Sequence, residues 1–232
     1  MKGLGWNRLW RRGRFDAAGQ GNVASARLSV APAAMRSIET AHGLPKAIPG
    51  TDWQWRPVSL SDAIEPAQLD QPDAGCRFGP ELTLWHDCPD CALSLQQLGG
   101  PENPDYALQF KAADFGGEYL SVSMDLPNEV LADLGLYHVL RIDGAFSATA
   151  SIIAYARLNL VQGPNTAKIL RQLGDPVDGQ GALRLAEFDL AYADLSHRPV
   201  DRAWLDLILQ SPRQNIVTLH DLVMSRHPRA QV

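Results

Sequence analysis

The chain has 232 residues, 45% of them hydrophobic, and a formal net charge of −5 at neutral pH. This length and composition suit one large β domain or two small ones with a sizeable core. The 16 prolines and 19 glycines predict frequent turns, which many short strands require more than a few long helices do. No apolar run approaches the roughly 20 residues of a transmembrane helix, and the start lacks the apolar stretch of a secretory signal.

The charge is unevenly distributed along the chain. Residues 1–36 hold seven basic residues and one acid, whereas residues 37–232 hold 14 basic and 25 acidic residues. The resulting balances are +6 and −11, and an acidic body excludes a nucleic-acid platform because phosphate binding needs a basic surface. The three cysteines, an odd number, argue against a disulfide framework. We therefore expect a reduced, cytoplasmic protein.

The first 50 residues predict a basic, loosely ordered N-terminal arm. Trp6, Leu9 and Trp10 have the spacing of a short amphipathic helix, although each nearby glycine costs such a helix about 1 kcal/mol. Residues 1–36 could contact an anionic membrane surface or an acidic protein partner. The alternative is a solvated tail, which is common at chain ends.

From residue 51 the pattern changes to short strands, which predicts one β domain over residues 51–232. Apolar residues alternate with polar ones in Leu82–Leu84 and Leu93–Leu95, and the turn residues Asp87–Asp90 between them predict a hairpin. The alternation of Leu120–Leu126 predicts a half-buried strand. A short helix is predicted near residues 128–135, between Asn128 as cap and Gly135 as stop.

The second half continues the pattern. Ile152–Leu160 predicts a long strand with one apolar face, followed by a turn at Gly163–Asn165 and a further strand. A change of parity among the apolar residues predicts a bulge near Ala186-Glu187, and residues 211–215 predict a hairpin loop. Residues 57–80 are rich in Pro and Asp and predict a surface excursion. About ten strands without βαβ alternation predict an all-β fold, an antiparallel, jelly-roll-like β-sandwich.

One turn carries possible metal ligands. His86, Cys88 and Cys91 could supply three tetrahedral ligands to zinc, with Cys76 as the spare thiol. A redox role for the C-x-x-C spacing would require a helix start beside a βαβ unit. Ordinary turn residues are the alternative, so we expect no cofactor other than, at most, a structural zinc ion.

Catalytic motifs are scarce. The sequence has no G-x-S-x-G elbow and no glycine-rich phosphate loop. A hydrolase that uses His220-Asp221, near a bulge in the last strand, or carboxylates on the sandwich faces stays open as an alternative. His138, between apolar strand residues, is interpreted as structural. The candidate carboxylates are Asp125, Asp143, Asp189 and Asp206.

A face with aromatic and polar side chains favours binding. Tyr155, Arg157 and Asn159 share the polar face of the long strand, and Trp53 and Trp55 flank a glutamine upstream. An aromatic ring offers an apolar surface to a sugar, while Arg and Asn supply hydrogen-bond donors. These five residues are the predicted site for a glycan or small polar ligand. The alternative for the tryptophans is burial in the core, where tryptophan is usually found.

Several short motifs also support a resemblance. They are Thr51–Pro57, His86–Cys88, Leu120–Pro127, Ala156–Asn159, Gly163–Thr166, Glu187–Tyr192 and Arg226–Ala230. In this order they resemble a bacterial family of uncharacterised proteins, a domain of unknown function, over about residues 50–232. The chain departs from that family at residues 99–104 and at Cys91.

A weaker resemblance concerns the fold. The stretches Trp204–Leu209 and Asn215–Leu222 are similar to the last two strands of galactose-binding-like jelly rolls. That resemblance implies a non-enzymatic binding module with carbohydrate or a glycoconjugate as ligand, and fold analogy alone does not establish function.

Overall fold

A computed structural model describes residues 47–100 and 103–229, which form thirteen β-strands and three short 3₁₀-helices. The strands are β1 Trp53–Trp55, β2 Gln68–Asp70, β3 Cys76–Phe78, β4 Leu82–His86, β5 Ala92–Gly100, β6 Asn103–Asp114, β7 Tyr119–Asp125, β8 His138–Ile152, β9 Ala154–Gln162, β10 Asn165–Gln172, β11 Val177–Asp189, β12 Arg202–Gln210 and β13 Asn215–Pro228. The helices are η1 Val58–Leu60, η2 Asn128–Leu131 and η3 Leu190–Tyr192. The predicted arm lies outside the described residues as far as residue 46.

The strands form two antiparallel sheets. Sheet A has the order β11-β8-β13-β6-β5-β2, with β1 also paired to β13, and sheet B has the order β10-β9-β12-β7-β4-β3. Fully buried side chains from both sheets, such as Leu140 of sheet A and Leu158 of sheet B, belong to one hydrophobic cluster. Burial of that cluster holds the two sheets face to face. The prediction of an all-β antiparallel sandwich is confirmed.

Consecutive strands mostly belong to different sheets, as in a jelly roll. The turn at Asp87–Asp90 leads from β4 in sheet B to β5 in sheet A, and residues 211–214 lead from β12 in sheet B to β13 in sheet A. Both segments were predicted as hairpin turns, and both predictions are wrong. The alternation of apolar and polar residues identifies a strand, but it does not indicate which strand pairs with it. That pairing depends on the sheet to which the turn leads the chain.

The predicted long strand is divided by a change of sheet. β8 ends at Ile152 in sheet A, and β9 begins at Ala154 in sheet B. The predicted turn after β9 is confirmed, because Gln162 pairs directly with Asn165 and Gly163 has a φ of 59°. A positive φ at the first turn residue is a conformation that glycine adopts without strain.

The predicted bulge near Ala186-Glu187 is wrong. The register of β11 with β8 is regular from Ala182 to Asp189, and its irregularities lie between Val177 and Ala182. Leu183 and Leu185 are 47% and 42% exposed. The change of parity therefore arises because these two leucines face solvent, which single surface leucines often do.

Two further segments differ from expectation. Residues 128–131 form a 3₁₀-helix that follows Pro127, and no side chain caps its start. Residues 57–80 are more than a surface excursion, because they contribute β2, β3 and the fully buried side chains of Leu60 and Phe78. With Ile64, the stretch has three buried core residues, which are too few and too far apart to show a periodic pattern in a Pro-rich stretch.

Candidate functional site

Polar and aromatic side chains stand in register on the outward side of sheet B. In β9, Ala154, Ala156, Leu158 and Leu160 are buried in the core, so the intervening residues point outward. The pairing of β9 with its neighbours then aligns outward residues into rows across the sheet. We call this surface the sheet B outer face. Its rows contain Trp85, Ser121, Ile208 and Tyr155; Arg77, Thr83, Ser123, Asp206, Arg157 and Leu170; and Asp125, Trp204, Asn159 and Lys168.

Asp206 is the centre of this face. Its side chain is almost fully buried and accepts hydrogen bonds from Arg157 Nε at 2.8 Å, from Asn159 Nδ2 at 2.8 Å and from the Ser123 hydroxyl. Charge-assisted hydrogen bonds of this kind hold a buried carboxylate in one position. The structure therefore brings the predicted ligand residues Arg157 and Asn159 together, through a carboxylate that they share.

Three polar groups around Asp206 keep hydrogen-bonding capacity. The Asn159 Oδ1 and Ser121 Oγ atoms are buried and have no hydrogen-bond partner among the described residues. Lys168 lies opposite Asn159 on β10. Burial lowers the pKa of the Lys168 ammonium, the positive charge of Arg157 lowers it further, and Asp206 opposes both. The centre of the face is thus polar, and its hydrogen-bonding groups are only partly satisfied by the residues that the structure describes.

Aromatic rings flank this centre. Trp85, Tyr119, Tyr155 and Trp204 are all partly exposed on the sheet B outer face. Trp85 and Tyr155 stand in one row, separated by β7 and β12, which is a span of about 14 Å at the usual strand spacing. The Tyr155 hydroxyl donates to Gln210 Oε1 at 3.3 Å. The face therefore presents flat apolar surfaces beside hydrogen-bonding groups.

A second ion-pair group stands at one side of the face. Asp125 accepts from Arg202 Nη2 at 2.7 Å and from Arg77 Nη1 at 2.9 Å. Burial opposes ionisation of Asp125, but the hydrogen bonds and charges of Arg202 and Arg77 outweigh it and lower the pKa of the carboxyl. The guanidinium of Arg202 also lies over the Trp204 ring, 5.3 Å from its centre, in a cation–π contact.

Trp53 and Trp55 are not part of this surface. They belong to β1, which pairs with β13 in sheet A, and both are partly buried against the core. The structure places them on the opposite sheet from Tyr155. The number of residues between these tryptophans and β9 does not indicate whether they share a sheet, because the topology determines which strand belongs to which sheet.

The residues predicted as zinc ligands each make a local contact. His86 Nε2 lies 2.9 Å from Pro72 O, and the buried Cys88 Sγ accepts from the Gly116 amide at 3.3 Å. Burial and the neighbouring Cys88 raise the pKa of the Cys91 thiol to about 12, which keeps it protonated. Within residues 47–100 and 103–229 no three His, Cys, Asp or Glu side chains are grouped as metal ligands.

His220 and Asp221 have separate partners. The register of β13 shifts between Leu219 and Asp221, which confirms the predicted bulge. The fully buried Asp221 accepts from Arg56 Nε at 2.7 Å, whereas His220 Nε2 lies 2.8 Å from the hydroxyl of Ser147. The Ser147–His220 contact on sheet A was not predicted, because 73 residues separate the two positions.

The candidate carboxylates each have an arginine nearby. Asp143 accepts two hydrogen bonds from Arg141, and Asp189 accepts from Arg229 Nε at 2.9 Å. Asp125 and Asp206 have the arginines described above. Each of the four carboxylates therefore has an arginine as its partner. His138 is buried and accepts a hydrogen bond from the Gly135 amide at 3.2 Å, as a structural histidine would.

A groove of about 1020 Å³ lies at one end of the sandwich. It is lined by residues of the η2–β8 connection, of the segment 196–199 and of the C-terminal end of β13, including Leu134, Tyr137, His197 and Arg229. The Tyr137 ring is 58% exposed. No motif in the sequence indicates this groove, because its lining residues come from three separate segments of the chain.

The fold and the sheet B outer face together define the class of protein. It is an antiparallel β-sandwich with aromatic and polar side chains on the outer face of one sheet. The chain belongs to the family of unknown function DUF6478, whose model matches residues 10–232. This agrees with the resemblance drawn from the short motifs. No curated protein matches the chain, and no helix in the described part of the chain is long and apolar enough to cross a membrane.

Solved structures with a similar chain path include carbohydrate-binding modules. The CBM22-1 xylan-binding domain from Paenibacillus barcinonensis Xyn10C has 10% identity and a TM-score of 0.39, over 74% of this chain and 93% of that domain. The family 11 carbohydrate-binding module of Clostridium thermocellum Lic26A-Cel5E has 10% identity and a TM-score of 0.39, over 73% of this chain and 99% of that module. At these TM-scores the resemblance in chain path is partial, and it does not identify a ligand.

A phage protein has a comparable score. The enzymatically active domain of tailspike protein 4 from bacteriophage CBA120 has 12% identity and a TM-score of 0.39, over 62% of this chain. The match covers 19% of that chain, so the present protein corresponds to a small part of it.

Proposed function

We propose that this protein is a non-enzymatic binding module that holds a glycan on the sheet B outer face. The observation that carries the proposal is the row from Trp85 to Tyr155, which lies directly beside the hydrogen-bonded row of Ser123, Asp206 and Arg157. Sugars combine an apolar ring face with a rim of hydroxyl groups. A surface that alternates aromatic rings with fixed polar groups is complementary to both.

The polar row supports the proposal because it is rigid. Asp206 is held by three donors from β7 and β9, so its position costs little ordering entropy when a ligand binds. The buried acceptor atoms Asn159 Oδ1 and Ser121 Oγ have no partner among the described residues. Because both atoms are buried, they contribute to the polarity beneath the face and not to a direct contact with a ligand.

Binding is favoured over hydrolysis by the state of the carboxylates. A glycosidase of the common type needs one protonated carboxylic acid and one ionised carboxylate on either side of the scissile bond. Asp125 and Asp206 both form ion pairs with arginine. The arginines lower the pKa of Asp125, which makes this residue unsuited to act as the protonated acid. Three further statements remain predictions: the cytoplasmic location, the contact of residues 1–36 with a membrane or protein, and a zinc ion at His86, Cys88 and Cys91.

The proposal is tested by screening the full chain against an array of neutral and acidic glycans, followed by titration of the best binder. Tyr155→Ala should weaken binding roughly tenfold, since a lost aromatic contact costs about 0.5–1.5 kcal/mol beyond its area. The matched control is Tyr192→Ala, because Tyr192 is 77% exposed and lies beyond sheet A, where its ring contacts Arg229. The control should bind as the unchanged protein does. Absence of binding to every glycan, or an equal loss in both variants, would contradict the proposal.

A further inference from the structure

The sheet B outer face has the opposite charge from the rest of the protein. It carries four cationic side chains and two acidic ones, whereas the whole chain has a net charge of −5. The face therefore has a surplus of two positive charges. The cations are Arg77, Arg157, Lys168 and Arg202, and the acids are Asp125 and Asp206. Such a patch on an acidic body attracts anions selectively.

The excess of positive charge on this face lies close to Asp206. Its two oxygens already accept hydrogen bonds from Ser123, Arg157 and Asn159. Lys168 stands opposite Asn159 and makes no hydrogen bond and no ion pair with another described residue. Asp206 thus lies near both Arg157 and Lys168, and Lys168 has no ion-pair partner of its own among the described residues.

The partial burial of Lys168 makes this arrangement costly. Burial and the charge of Arg157 both lower the pKa of the Lys168 ammonium, which means that its charged form is less stable here than in water. An anion placed beside Lys168 would reverse this effect. A lysine that is partly desolvated, lies near a second cation and forms no ion pair with the described residues is an arrangement typical of anion-binding positions.

We infer that the glycan bound on the sheet B outer face is acidic, with a carboxylate or sulfate group held by Lys168 beside Arg157. This inference rests on the proposed function, because it assigns the ligand class of the same face. The aromatic row from Trp85 to Tyr155 contacts the sugar rings, and Lys168 contacts the anionic substituent. The face discriminates against neutral sugars because they have no negative charge to pair with Lys168, whose positive charge Asp206 does not compensate.

The test compares ligands that differ only in charge. A galacturonic acid oligomer is titrated against its methyl ester, which keeps the ring and the hydroxyls but removes the negative charges, and a sulfated and a neutral oligosaccharide serve as further arms. The unchanged protein should bind at least one acidic oligomer roughly tenfold more tightly than its neutral counterpart, as one ion pair of about 1.4 kcal/mol provides. Added salt should reduce this preference.

Lys168→Gln is the variant that isolates the inferred contact. It keeps a hydrogen-bonding side chain of similar length and removes the charge, so the preference for the acidic oligomer should fall close to one. The matched control is Lys111→Gln, which makes the same charge change at an exposed position of β6 in sheet A. It should retain the preference. Binding should also weaken as the pH rises through the pKa of Lys168, since the deprotonated amine holds no anion.

The outcomes separate the two proposals. If acidic and neutral oligomers bind equally well, or if Lys168→Gln and Lys111→Gln have the same effect, the assignment of an acidic ligand is overturned while glycan binding stands. If no oligomer of either kind binds, the proposed function itself fails. A preference for the sulfated arm over the uronate arm supports the inference and assigns the anionic group.

Discussion

Arg226 shows how much a single buried side chain does in this protein. It is 9% exposed, and its guanidinium donates to Asp52 Oδ1 at 2.9 Å and to the carbonyl groups of Val130 and Ala132. The last two acceptors belong to η2 and the residue that follows it, where backbone carbonyls lack intrahelical partners. Arg226 therefore joins β13 to the segment before β1 and to a helix almost a hundred residues upstream.

Replacing Arg226 by methionine should lower the free energy of unfolding by about 2–3 kcal/mol, because two backbone carbonyls and a carboxylate lose their charged donor. The measurement is the midpoint of urea unfolding. Arg213→Met is the matched control, since Arg213 is exposed in the β12–β13 connection. It should change the free energy by less than about 0.5 kcal/mol. Equal effects of the two substitutions would show that Arg226 is not a structural tie.

At the scale of elements, the corner between β4 and β7 explains a motif that sequence analysis singled out. The Asp87 side chain accepts from the backbone amides of Glu118 at 2.9 Å and of Tyr119 at 3.2 Å. Cys88 accepts from the Gly116 amide nearby. The His86-Asp87-Cys88 segment thus satisfies the backbone of the loop that starts β7, and it positions Tyr119 on the sheet B outer face.

Gly117→Ala should disrupt this corner. A Cβ atom at residue 117 would lie 2.2 Å from Asp87 Oδ1 and 2.9 Å from the Phe115 ring, whereas one at Gly116 would meet nothing within 4 Å. We expect Gly117→Ala to lower the free energy of unfolding by about 1–3 kcal/mol through overpacking. Gly116→Ala is the matched control and should be close to neutral. Thermal unfolding of the two variants side by side decides the point, and a neutral Gly117→Ala would refute the role given to Asp87.

At the scale of the whole molecule, one hydrophobic cluster joins both sheets. Leu140 of β8 in sheet A and Leu158 of β9 in sheet B are both fully buried in it. Because the strands alternate between the sheets, neither sheet is a contiguous piece of chain. The two sheets should therefore unfold together rather than separately.

Leu140→Ala and Leu158→Ala should each lower the free energy of unfolding by about 2–5 kcal/mol, through lost burial and the cavity left behind. In both variants tryptophan fluorescence and far-UV circular dichroism should report one coincident urea transition. Leu183→Ala is the control, because Leu183 is 47% exposed, and it should have little effect. Two separate transitions in either core variant would mean that the sheets are independent units.

The part of the fold that could be predicted from the sequence is the part governed by local periodicity. The alternation of Leu120–Leu126 identified β7, and the turn residues around Gly163 identified the β9–β10 hairpin. The failed predictions concern partners: residues 87–90 and 211–214 were expected to join paired strands, yet each joins one sheet to the other. A period of two residues indicates which side chains of a strand are buried. It does not indicate which strand pairs with it, because the period is the same for every partner.

The same distinction between local pattern and strand pairing applies to the candidate site. The sequence by itself determined that Tyr155, Arg157 and Asn159 share one face of a strand, since alternate residues of β9 must point the same way. Only the tertiary structure decided that Asp206, Ser123 and Lys168 join them, and that Trp53 and Trp55 lie on the other sheet. Those contacts depend on the register between strands that are distant in sequence, and that register is set by the packing of the whole core.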